Sequence, residues 1–270
     1  MIKTLLATTG LLVALPAQAL INVNSAAFTY SESFDSLTSV TTPATNWVND
    51  STLAGWSLFI STGAAAPTYA ADNGGSNAGT FRSYGVTASS ERALGGAASG
   101  GAYFGSPVGG AVAGHIALGL TNTSGLVLDS FTLRFAGEQW RDGGAAVPAA
   151  QTMTMQYGFG ATFAAVSTWN TPGGSFNFVS PVFTNTGAGA AVNGNTAGLV
   201  AALGGTVATS WANGDTLWVR WIENNDNGND HGLAIDNLTF SVTAIPEPGT
   251  YALLLAGLGV VGFLARRRRG

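Results

Sequence analysis

The densest run of oxygen ligands in this chain is Glu223-Asn224-Asn225-Asp226-Asn227-Gly228-Asn229-Asp230-His231. A hard cation such as Ca2+ takes about six to eight oxygens, and alternating Asp and Asn around a Gly turn can supply several of them from one loop. Counted from Glu223, Asn225 and Asn227 fall at the third and fifth positions and Gly228 at the sixth, as in a helical calcium loop. The match then breaks: the twelfth position is Ala234 rather than Glu, and the first is Glu rather than Asp. The segment reads either as a calcium site drawing on Glu223, Asn225, Asp226, Asn227 and Asp230, or as a solvated hairpin loop whose Asn, Asp and Gly serve turn geometry.

Asp236 poses a sharper question. At period two it shares a face with Leu238, Phe240 and Val242, a face expected to be core, where an unpaired carboxylate costs several kcal/mol. The expected partner is Arg141 or Arg220, or else a bound cation. Glu138, Trp140 and Arg141 read either as a strand end with an ion pair or as the aromatic platform and polar clamp of a carbohydrate site. Trp218 and Arg220 lie opposite the face formed by Leu217, Val219 and Trp221. Trp218 is therefore either packed under a covering layer or an indole that stacks on a sugar ring.

The inventory for catalysis is thin. His115 and His231 are the only imidazoles, cysteine is absent, and neither Gly-x-Ser-x-Gly nor His-Glu-x-x-His occurs. A glycosidase would need two facing carboxylates, for which Glu138 with Glu223 or Asp236 are the candidates. The expectation is a non-enzymatic domain, with a weak extracellular hydrolase as the alternative.

These residues sit on a chain whose middle alternates at period two. Phe131, Leu133 and Phe135 alternate with Thr132 and Arg134; Met153, Met155, Tyr157 and Phe159 alternate with polar residues and Gly158. Further strands are expected at Phe28–Phe34, Trp56–Ser61, His115–Thr121, Phe176–Phe183, Thr216–Ile222 and Leu233–Val242, with Thr196–Leu203 the most helix-permissive stretch. The fold class expected is all-β, an antiparallel β-sandwich of the jelly-roll or lectin-like kind. Between Leu20 and Ala244 there is no lysine, and thirteen carboxylates stand against five arginines, a net charge of −8. Such a surface repels phosphate backbones and speaks against nucleic acid as a partner. Without cysteine the domain has no disulfides, which a chain of this length can do without.

Both ends carry signals. Lys3, an apolar run from Leu5 to Leu15, and Ala17-Gln18-Ala19 form the three-part layout of a secretory signal peptide, with cleavage expected after Ala19 by the Sec-type route. At the other end Pro246-Glu247-Pro248 precedes an apolar stretch from Tyr251 to Ala265, closed by Arg266, Arg267, Arg268 and Arg269. A helix over this stretch would be a marginal membrane span, with the arginines held in the cytoplasm and the domain outside. Gly257, Gly259 and Gly262 spell Gly-x-Gly-x-x-Gly, but with no strand before them the dinucleotide reading lacks its context. The three-part C-terminus resembles the PEP-CTERM sorting signal of Gram-negative bacteria. The resemblance implies processing by an exosortase near Pro246, Glu247 and Pro248, and an association with exopolysaccharide and biofilm.

The middle in turn resembles a domain of unknown function common in secreted PEP-CTERM proteins, through Phe34-Asp35-Ser36-Leu37, Gly137-Glu138-Gln139-Trp140-Arg141 and Asn229 to Asn237. It implies a jelly-roll-like fold and no activity. The expected organisation is a signal peptide at 1–19, an extracellular domain at 20–244 and a sorting signal at 245–270. The expected role is an exported surface or matrix protein that binds or organises extracellular polysaccharide, with a ligand-free envelope component as the alternative. It would be held in the inner membrane by its C-terminal helix until processing.

Overall fold

The computed structural model describes residues 20–145, 148–184 and 187–244, and in the C-terminal segment 255–258, 260 and 266–267. The signal-peptide residues, Ala17 and Ala19 among them, lie outside the described residues, as do Pro246, Glu247, Pro248, Arg268 and Arg269. The described C-terminal residues, including Arg266 and Arg267, are helical and exposed. Among the described residues no helix is long and apolar enough to cross a membrane.

The strands are β1 (Ile21–Val23), β2 (Thr29–Glu32), β3 (Thr45–Asn46), β4 (Trp56–Ile60), β5 (Thr68–Asp72), β6 (Thr80–Tyr84), β7 (Ala93–Ala97), β8 (Val112–Asn122), β9 (Leu128–Asp142), β10 (Thr152–Phe159), β11 (Phe178–Val179), β12 (Ala190–Ala191), β13 (Leu199–Trp211), β14 (Thr216–Asn224) and β15 (Gly232–Thr243). They form two strongly curled sheets. The six-stranded sheet runs β1-β8-β14-β10-β11, with β4 sharing the β1 edge of β8; the nine-stranded sheet runs β12-β9-β15-β7-β6-β5-β3, with β13 beside β9 and β2 beside β15.

One core lies between the sheets. The expected inward residues of β9 and β10, Phe131, Leu133, Phe135, Met153 and Met155, are all in it, as are Leu217, Val219 and Trp221 of β14. Trp221 meets Phe135 edge to face at 5.4 Å and stacks on Trp56 at 5.8 Å, so indoles and phenyl rings supply the contact between layers.

Three expectations need correction. The sheets are mixed, not purely antiparallel: β1 runs parallel to β8 and β5 parallel to β6. Parallel neighbours ordinarily need a crossover of about a dozen residues. The short segment 73–79 suffices here because side chains fasten it. Asp72 Oδ1 accepts from the Gly74 and Ser76 N–H groups, Arg82 Nη2 donates to Ser76 Oγ and Ala78 O, and Arg141 Nη1 donates to Gly74 O and Gly75 O. Gly74 is at φ +87°, and a Cβ there would lie 1.7 Å from Trp140 O, so the turn admits only glycine.

The most helix-permissive stretch, Thr196–Leu203, turns and enters β13, where Gly204-Gly205 disfavours helix and Gly204 takes φ +107° against β9, in keeping with the all-β expectation. Of Phe176–Phe183 only Phe178–Val179 is strand, since Pro181 has no N–H for a ladder, although Phe176 and Phe178 both reach the core.

The last correction fixes the site. Leu233 and Ile235 face the core, and so do Leu238, Phe240 and Val242, so the inward parity of β15 flips between Ile235 and Leu238. The register with β9 shifts between Asp236 and Thr239, and Asn237 takes φ +49°. This bulge puts Asp236 on the outer face of the nine-stranded sheet with Ala234, not beside Leu238 as strict alternation predicts. Asn tolerates the left-handed region and a β-branched residue does not. Replacing Asn237 by Val is expected to cost about 1–2 kcal/mol in urea unfolding, and Asn237→Gly distinctly less. Equal losses for the two variants would show that the left-handed backbone is not the constraint.

Candidate functional site

Glu138 of β9 and Asp236 of β15 meet on that outer face because Asp236 pairs with Ala136 and Ala234 with Glu138, a diagonal two residues apart. Trp140, two residues beyond Glu138 on the same side, donates its indole N–H to Glu138 Oε2 at 2.9 Å and stacks on Tyr84. Glu91, just before β7, completes the group. Carboxylate oxygens of Glu91, Glu138 and Asp236 all lie within 4.8 Å of one another. Asn195 donates to Glu91 Oε2, and Asn237 Nδ2 donates to Asp236 Oδ2. Glu91 Oε1 and Asp236 Oδ1 are buried with no hydrogen-bond partner. Glu138 and Asp236 are each 1% exposed, while Glu91 is half-buried.

Among the described residues no arginine bonds to these carboxylates, although the charge of Arg92 acts on the neighbouring Glu91. Arg92 donates to Ser83, Arg141 to the carbonyls of Gly74 and Gly75, and Arg220 to Gln156 while lying 3.9 Å over the Trp169 ring. The expected Asp236–arginine pair does not form among the described residues. Burial instead pushes the Asp236 carboxyl up to about 8, with Glu138, Glu91 and Asp35 adding repulsion, and pushes Glu138 up to about 7.

The Glu223–His231 segment is not a hairpin, since it carries the chain from β14 in one sheet to β15 in the other. Its polar atoms are largely spent on fastening. Asn225 Nδ2 donates to Pro107 O, Asp230 Oδ1 accepts from the Asp226 N–H at 2.7 Å, and the Asn229 amide reaches Gly144 O. Asn227 lines a small hollow beside Asp142 and His231. Glu223, 3% exposed, and Asp230 are both raised by burial and by their acidic neighbours, Asp230 to about 7, and burial also raises Asp226. Yet the only group of three convergent His, Asp or Glu ligands among the described residues is Glu91, Glu138 and Asp236. Of the sequence-derived metal candidates, the structure brings Asp236 into that group and leaves the loop acids out of it.

Trp218 is fully buried on the outer face of the six-stranded sheet, under Phe163 and Val166, with its indole N–H on Gly160 O. Trp140 is buried too, and Arg141, which the register shift of β9 at Trp140 places against Gly232 and Tyr84, is 8% exposed and spends its guanidinium on Gly74 O and Gly75 O, so these three do not form one open clamp. A constellation invisible in the sequence is Ser180, His231 and Asp142: Ser180 Oγ lies 3.0 Å from His231 Nδ1, and His231 Nε2 lies 3.5 Å from Asp142 Oδ1. It has the residue types of a hydrolytic triad but not the access. Ser180 is 1% exposed and its Oγ already accepts the Gln151 N–H, so these groups tie β9, β11 and β15 together.

The surface of the described residues carries a polar cleft. It has a volume of ≈ 440 Å³ and lies where the β5–β6, β14–β15 and pre-β12 segments meet, lined by Asn77, Ser99, Arg141, Asn225, Asn229 and Asp230 among others.

Residues 244–269 match the family model of the PEP-CTERM protein-sorting motif. The motif implies an exported, cell-surface protein processed by an exosortase. No curated protein matches the chain.

Carboxyls raised in the native state make stability fall with pH. Between an unfolded value near 4 and the native values of about 7 to 8, the metal-free native chain holds protons that the unfolded chain has released. In EDTA, Tm is expected to fall as pH rises from about 6.5 to 8.5 and to level off above, read by scanning calorimetry; below that interval His115 and His231, both lowered by burial, act in the opposite sense. A Tm that rises over that interval would show that these carboxyls are ionised in the native state.

Proposed function

We propose that this chain is an exosortase-sorted surface protein whose β domain, jelly-roll-like in kind, binds or organises extracellular polysaccharide without catalysing a reaction. The sorting motif at 244–269 carries the first half of this reading. The polar cleft supports the second, because its amide, hydroxyl and guanidinium groups match the hydrogen-bonding demand of sugar hydroxyls. An acidic middle free of lysine favours neutral over anionic glycans. The non-catalytic reading rests on access: the carboxylates that approach one another, Glu138 and Asp236, are both buried, and a glycosidic bond cannot enter between them.

Sorting is tested by replacing Pro246, Glu247 and Pro248 with Ala. Immunoblots of fractionated cells should show the variant retained unprocessed in the membrane fraction while the parent chain reaches the surface or medium. Identical distributions would remove the exosortase from the account. For the ligand, a glycan array probed with the full chain should give selective binding, weakened several-fold by Asn77→Ala, which alters an exposed cleft residue. Uniformly flat binding would leave the ligand-free envelope role as the reading.

A further inference from the structure

We propose that Glu91, Glu138 and Asp236 form a calcium site on the outer face of the nine-stranded sheet, separate from the loop acids and from the cleft. Three carboxylates brought within 4.8 Å, two of them on residues 1% exposed, repel one another in a place with little water to screen them. Proteins that gather buried charges either pair them or use them to hold a metal. Here Arg92, Arg141 and Arg220 hydrogen-bond elsewhere, Arg92 acting on Glu91 through its charge alone, and Asp236 Oδ1 and Glu91 Oε1 are buried without a hydrogen-bond partner. These two oxygens are unexplained by the fold and are what a cation would satisfy.

The donor set selects the ion. All three ligands are hard carboxylate oxygens, and both imidazoles are occupied elsewhere, His115 against Phe163 and His231 beside Ser180, so zinc and copper are disfavoured. Oxygens within 4.8 Å of one another fit inside a calcium shell, about 4.6–5.2 Å across for Ca–O distances of about 2.3–2.6 Å, and a buried all-carboxylate set suits Ca2+ better than Mg2+, which gives up its waters reluctantly. The half-buried Glu91 gives the ion an approach from solvent, and exposed Asp35, which accepts the Arg92 N–H, adds negative charge at that side. A bound ion would join β9, β15 and the segment entering β7, adding a cross-link to their ladder bonds.

The test uses the full chain in detergent, stripped with EDTA and titrated with Tb3+ or Ca2+. Indole-sensitised Tb3+ luminescence should be saturable and displaced by Ca2+, since Trp140 is bonded to Glu138. Ca2+ should also raise Tm. Asp236→Asn and Glu138→Gln should each weaken both responses at least ten-fold, while Asp230→Asn leaves them unchanged. The melting order should also invert: in EDTA the two neutralised variants melt at or above the parent, because repulsion is relieved, and in Ca2+ they melt below it. Should either variant fail to fold, Glu91→Gln, at the half-buried position, must still weaken Tb3+ binding. No Ca2+-dependent shift in the parent, or a shift abolished by Asp230→Asn and kept in Asp236→Asn, overturns the site. Neither result depends on the glycan array or on sorting, so this proposal and the functional one fail separately.

Discussion

The two demands on β15 are incompatible with a regular strand. Its apolar residues must face the interlayer core, where Trp221, Phe135 and Phe240 pack, and its carboxylate must not. With strict alternation Asp236 would project into that core beside Leu238, an ionised group among aromatic rings with no arginine to meet it. The left-handed residue Asn237 resolves the conflict by spending one residue on a bulge. The core then continues through Leu238, Phe240 and Val242, while Asp236 comes to lie beside Glu138 on the other face. Everything about the carboxylate group, its burial, its repulsion and its convergence with Glu91, follows from that one change of phase.

The same bulge separates what was legible in the sequence from what was not. Strands with unbroken alternation, such as Phe131 to Phe135 and Leu217 to Trp221, could be read with their inward face correctly assigned, because burial on one side imposes the period. Asp236 stands out in the sequence as a carboxylate on an apolar strand, but strict alternation assigns it the wrong face. The clue was present: Ile235 and Leu238 are three apart, a spacing that period two forbids, with an Asn between them that readily takes positive φ. Glu91 gave no local signal. Beside Arg92, in a run of small residues, it looks like half of a solvated pair, and only the long-range pairing of β7 with β15 brings it to Asp236. The Glu223–His231 segment misled in the opposite sense. Its density of oxygens invites a cation, yet the crossover between two sheets needs side chains to close it, and Asn225, Asn229 and Asp230 are used that way.

Segments far apart in the chain converge at the carboxylates. Asp35 belongs to the Phe34–Leu37 stretch, Glu138 to the Gly137–Arg141 stretch and Asp236 to the Asn229–Asn237 stretch. Asp35 accepts the Arg92 N–H and so fixes the residue next to Glu91, while Trp140 holds Glu138 and Asn195 holds Glu91. Motifs that look unrelated along the sequence are thus one structural unit, and the polar residues in them serve to hold acids in place rather than to present a surface.

Location gives that unit its consequence. The sorting motif implies that the domain works outside the cell, and it has neither a cysteine for a disulfide nor a lysine to offset its acids between Leu20 and Ala244. Weak carboxylate sites in extracellular modules fill at about 10⁻⁴ to 10⁻³ M calcium. A site of that class would stay empty during synthesis, when mutual repulsion loosens the face that unites β7, β9 and β15, and would fill after export, when binding adds to native stability by mass action. On this reasoning the charge cluster that weakens the fold before export is the same feature that tightens it afterwards. Such an ion would do for this chain what a disulfide does in other exported domains, without needing an oxidant.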